Sequence, residues 1–114
     1  MKRDDEILVI KVTDWKPNNA RMQQRIAGWW KINPTRLQNV NIAMVIYQNR
    51  IVQEYAIGDE IIYNRSLQRV RLHLQTLSQH TKLWQRTVHY GTHNPATVCT
   101  FDKLCNSLDK KEVR

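Results

Sequence analysis

Residues 41–57 constrain the fold more than any other stretch. Asn41 to Tyr47 (NIAMVIY) and Ile51 to Ile57 (IVQEYAI) are strand-length runs rich in β-branched and aromatic residues, separated by Gln48-Asn49-Arg50. Asn49 can accept the positive φ of a tight turn, so the pair reads as a hairpin. Its first arm is apolar on both alternations, Ile42, Met44 and Ile46 on one side and Ala43, Val45 and Tyr47 on the other. A strand of that kind needs cover on both faces, which makes it central to a sheet.

The remaining elements follow in chain order. Glu6 to Thr13 is a first strand, ended by Asp14-Trp15 and Lys16-Pro17-Asn18-Asn19. Asn19 is placed to cap a short helix, Ala20 to Ala27, with Met22 and Ile26 one turn apart and Gly28 at its end. Trp29, Trp30 and Ile32 form an extended piece, and Asn33-Pro34 opens a single helical turn through Leu37. After the hairpin, Ile61-Ile62-Tyr63 is a short extended stretch and Asn64-Arg65-Ser66 a turn. Val70, Leu72 and Leu74 alternate with Arg69, Arg71, His73 and Gln75, so Gln68 to Leu77 is expected to be one strand with Arg69, Arg71 and His73 on one face. Ser78 is expected to cap a helix through Thr87, and Ala96 to Phe101 is the last strand. The expected sum is an α+β fold: a small mixed, largely antiparallel sheet able to close into a β-barrel, with two or three short flanking helices. Residues 1–108 are expected to form one domain, and 109–114 a disordered charged tail.

Charge points to the partner. The 114 residues carry 18 Lys plus Arg against 10 Asp plus Glu, and the excess lies between Trp15 and Phe101, where eleven bases meet three acids. Bases neutralise phosphates and aromatics, here four Trp and four Tyr, stack on nucleobases, so DNA or RNA is the expected partner. No membrane-spanning run is present, and the opening MKRDDEILVIKV reads as a strand and not a cleavable signal, giving a cytoplasmic expectation. Cys99 and Cys105 match no redox or zinc spacing, and His73, His80, His89 and His93 show no ligand pattern, so neither metal nor cofactor is expected.

The order of pieces also resembles a known group. Arg25-Ile26-Ala27-Gly28-Trp29-Trp30-Lys31, Arg36, Ala43 to Tyr47 and Tyr90 to Pro95 are similar to the R-x-x-G-x-W-K, hairpin and Y-G-x-x-N-P segments of bacterial and phage members of the PUA-like superfamily, which includes EVE, YTH, ASCH and SRA domains. The resemblance runs from about Ile7 to Phe101. It implies a compact barrel whose aromatic pocket accepts a nucleobase, often a modified one, with a basic rim for the backbone. Carried across, it sets Trp29 or Trp30 beside the base and Arg25, Lys31 and Arg36 near the rim. The segment Gly58 to Leu67 is shorter than in such members and lacks their Trp, so one pocket wall is either missing or supplied by Tyr63.

The residues themselves are compatible with that chemistry. Trp29, Trp30 and Tyr47 offer faces for stacking; Asn33, Asn41 and Gln53 offer donors and acceptors; Arg69 and Arg71 offer phosphate contacts. On an extended segment the two tryptophans point to opposite sides, so at most one is expected in a pocket, which of the two being open, and the alternative is that both pack in the core. Two other function classes compete. One is a small phage-type inhibitor or decoy acting on a nucleic-acid-processing host factor, which would make a protein of a restriction or defence system the partner. The other is an ASCH-type modified-nucleoside hydrolase using Lys31, Thr35 and Glu54, though their spacing is not diagnostic and a non-enzymatic role is the expectation.

Overall fold

The computed structural model describes residues 2–17, 19–77, 79–91 and 94–109. Among these residues eight strands form two sheets. β1 (Glu6–Val12), β3 (Val40–Tyr47), β4 (Arg50–Ile57), β7 (Leu74–Thr76) and β8 (Ala96–Thr100) make a five-stranded sheet in the order β7-β4-β3-β1-β8. β2 (Gly28–Trp30), β5 (Ile62–Asn64) and β6 (Arg69–Arg71) make a second sheet in the order β2-β6-β5. β1 runs parallel to β3 and every other pairing is antiparallel, so the sheet is mixed. Strand pairing does not close into a ring among the described residues. The two helices are α1 (Ala20–Ile26) and α2 (Phe101–Asn106), with a 3-10 turn at Pro34–Leu37.

The hairpin forms because its turn chemistry and its apolar pattern agree. Tyr47 pairs with Arg50, leaving a two-residue loop in which Gln48 has φ 50° and Asn49 φ 64°. That is the backbone of a type I′ turn, whose twist matches the flanking strands. β3 is covered on both faces as its pattern requires. Ala43 and Val45 join Leu8, Ile10 and Tyr55 in one cluster, completed by Met22 and Ile26 of α1 and by Val70 of the small sheet. Met44 and Ile46 join Ile7, Val9 and Ile51 in the other, completed by Leu83, Val88, Phe101 and Leu104.

Local capping is as the residue types dictate. Asn19 Oδ1 accepts from the Met22 N–H at 3.2 Å, and Asn33 Oδ1 from the Thr35 N–H at 3.0 Å. Gly28 opens β2 at φ +128°, where a Cβ would stand 2.7 Å from the Val70 carbonyl oxygen. Only glycine fits that approach.

Three expectations need correction. Residues 68–77 do not form one strand: the Leu72 N–H donates to Ala27 O at 2.6 Å and the Gly58 N–H to His73 O at 2.7 Å, and the chain passes from the small sheet to the edge of β4. Arg69 and Arg71 stay together on β6, while His73 lies beyond the break. Residues 79–87 are not helical. The Gln85 N–H donates to Ile51 O and the Ile51 N–H to Arg86 O, both at 3.0 Å, so backbone groups that a helix would use internally are bound to the hairpin, and Gln85 takes φ 59°. The expected cap, Ser78, lies outside the described residues, as do Asn18, Thr92, His93 and tail residues 110–114. Finally, residues 101–106 are helical, with Thr100 Oγ1 accepting from the Lys103 N–H at 3.2 Å.

Candidate functional site

β2 places Trp29 and Trp30 on different sides, as an extended backbone must. Trp30 packs against the α1-side core and its indole N–H donates to Ile26 O at 2.8 Å. Trp29 is 39% exposed. Both nevertheless touch one cavity of about 530 Å³, shared with Lys31, Arg69, Asn94 and Pro95. Asn94 and Pro95 arrive there because the Lys11 N–H donates to Pro95 O at 2.8 Å and Ala96 pairs with Ile10 at the C-terminal end of β1.

Arg69 reaches this cavity from β6. Val70, between Arg69 and Arg71, is fully buried, so the two arginines share the outer face of the small sheet. Their guanidinium groups lie along β2, Arg69 Nη1 donating to Trp29 O at 3.4 Å and Arg71 Nη1 to Gly28 O at 3.5 Å. Both contacts are long, and most of the five donors of each guanidinium stay available. The same sheet carries the exposed apolar surface: Trp29, Ile62, Tyr63 and Leu67 are the large hydrophobic residues left exposed among those described. All four lie on β2, on β5 or in the turn that follows it. Ile62 and Tyr63, adjacent on β5, point to opposite sides of the small sheet and line different cavities.

The other anticipated residues are distributed as follows. Asn33 holds the Pro34–Leu37 turn and lines a neighbouring cavity of about 660 Å³ with Lys31, Ile32, Tyr63 and Gln68; Lys31 borders both cavities. Tyr63 lines that neighbouring cavity and not the one touched by Trp29 and Trp30. Tyr47 is half-buried at the end of β3 opposite Val12 and Arg50, and is not among the residues around either cavity. Arg25 pairs with Asp14 at 3.0 Å. Arg36 lies 3.6 Å from Glu6, at the far end of β1 from Ala96, about 13 Å along the strand. Neither arginine lines the tryptophan cavity.

Glu54 sits elsewhere. It pairs with Met44 on the opposite core face and is 0% exposed, the one buried charged side chain among the described residues. The Thr81 N–H donates to its Oε1 at 2.9 Å, the Thr81 hydroxyl donates to Oε2, and His80 Nδ1 stands 3.1 Å from Oε1. The His80 ring stacks on Trp84 with centroids 3.6 Å apart. This cluster pins residues 80–84 to the hairpin and was not anticipated as a unit. Its one legible signal is a glutamate in an otherwise half-apolar strand. Lys31 and Thr35 border a cavity that Glu54 does not line, so the three residues of the hydrolase alternative are not brought together.

Among the described residues no three His, Cys, Asp or Glu side chains gather as a metal ion would require, and no helix is long and apolar enough to cross a membrane. Cys99 and Cys105 are unbridged, and burial raises both thiol pKa values. No protein-family model, curated protein or solved structure matches the chain.

Proposed function

We propose that this chain is a nucleic-acid-binding module of PUA-like, barrel-related architecture that stacks one base, modified or not, against Trp29 while a basic rim holds the backbone. The company that Trp29 keeps is the observation that carries this reading. An exposed indole shares a 530 Å³ cavity with Lys31, Arg69 and the amide side chain of Asn94. Such a cavity falls within the range used for small ligands. Stacking on an aromatic face is worth about 1–3 kcal/mol per base. Lys31 and Arg69 form no ion pair among the described residues, so their charge is available to phosphates. Arg25 and Arg36, engaged with Asp14 and Glu6, contribute long-range attraction only.

The test is titration of intrinsic tryptophan fluorescence with short single- and double-stranded DNA and RNA, with and without modified bases, at two salt concentrations. Saturable quenching that weakens with salt is expected, and Arg69→Gln is expected to lower the salt slope by about 1. Absence of binding to every oligonucleotide at low salt would overturn the proposal and favour a protein-directed inhibitor.

A further inference from the structure

Arg71 opens onto a second cavity, of about 480 Å³, between α1 and the small sheet. We infer that this cavity is a subsite for the nucleotide next to the one held at Trp29, and that it selects a base bearing an exocyclic amino group; the inference rests on the base-binding function proposed above.

The geometry is that of a continuous track. Arg69 borders the Trp29 cavity and Arg71 the second one. They occupy successive same-face positions of β6, about 7 Å apart, comparable to one nucleotide step of an extended chain. Ile62 pairs with Arg71 across the sheet, lines the second cavity and is 59% exposed, giving an apolar edge where Trp29 gives one to the first.

The lining chemistry separates one ligand class from others. Arg71 and Glu60 both border the cavity, and neither forms an ion pair with any described residue. A guanidinium matches a phosphate, whereas a carboxylate repels it and accepts instead from an amino group, as acidic side chains do from cytosine N4. Gln24 of α1 borders the same space, and glutamine pairs with the N6 and N7 edge of adenine, while Gln23 beside it donates its side-chain N–H to Leu74 O at 3.4 Å. Leu72, buried, supplies an apolar surface against which a base can lie. A simple polyanion would leave the glutamate opposed, and a purely apolar ligand would leave both charges unused. A nucleotide with an amino-bearing base satisfies each group.

The experiment compares mononucleotides, dinucleotides and trinucleotides, in ribo and deoxy series, on the full chain by tryptophan quenching. A dinucleotide placing adenine or cytosine in the second position is expected to bind about tenfold more tightly than one placing thymine or uracil there. Glu60→Ala should abolish that preference while keeping wild-type mononucleotide binding and melting temperature, and Arg71→Gln should remove the affinity gained on adding the second nucleotide. Mononucleotide binding with no gain on adding a second nucleotide of any kind would overturn the second subsite and leave the Trp29 site standing. Failure of nucleotides of every length to bind would overturn both.

Discussion

Trp29 and Trp30 are chemically identical neighbours with different work, because the pleat of β2 turns one toward solvent and the other toward the core. Trp30→Ala removes packed indole surface and the 2.8 Å bond to Ile26 O, and is expected to cost about 2–4 kcal/mol in chemical denaturation. Trp29→Ala is expected to cost no more than about 1 kcal/mol, yet to abolish oligonucleotide quenching. A loss of stability equal to that of Trp30→Ala would remove the distinction between them. Glu54 supplies a further residue-scale test. Glu54→Ala leaves the Thr81 N–H and O–H without their carboxylate partner inside the core, and a loss of about 3 kcal/mol is expected with oligonucleotide affinity unchanged. Reduced affinity in a variant that remains folded would tie this cluster to binding.

At the scale of elements, the hairpin, the Asn19-capped helix and the Asn33-Pro34 turn were legible because each is specified locally, by turn chemistry or a cap that lies within a few residues. Gln48 and Asn49 both sit at positive φ, where Asn and Gly are the preferred pair. The double replacement Gln48→Asn, Asn49→Gly is therefore expected to raise the stability by about 1 kcal/mol, read as a shift of the denaturation midpoint. A lowered midpoint would contradict the type I′ assignment. Residues 79–87 and 68–77 were not legible for the opposite reason. The first is held by Ile51 and Glu54, some thirty residues earlier in the chain, and the second breaks because Ala27 and Gly58 take its backbone groups at Leu72 and His73. Period alone cannot report such distant partners. The helix after Thr100 could have been found from its cap and from Asp102 in its first turn.

For the whole molecule, the tryptophan pair of β2 and Arg69 and Arg71 of β6 lie on the small sheet, while the large sheet carries a core cluster on each of its faces. The composition shows an excess of bases but not where they lie: Arg69 and Arg71 border cavities, whereas Arg25 and Arg36 are matched to Asp14 and Glu6. Burial of the core also sets an alkaline limit. Desolvation raises the pKa of Tyr55, Tyr90 and the Cys99 thiol above their ordinary values, 10.0 for the tyrosines and 9.0 for the thiol. A folded pKa above the unfolded one means a contribution that is complete below the unfolded value and lost as pH rises through the folded one. Denaturation midpoints should accordingly decline above pH 9.0. A midpoint constant to well beyond the ordinary tyrosine value would contradict the burial of these groups.

A base resting on Trp29 would be seen by amide and indole chemical-shift mapping with a short single-stranded oligonucleotide. The expected result is a large, saturable shift of the Trp29 indole N–H together with the backbone amides of residues 28–31 and 69–71, with the Trp84 indole unmoved. Shifts confined to the Glu54, His80 and Trp84 cluster, or none at all at low salt, would exclude Trp29 as the base-stacking residue.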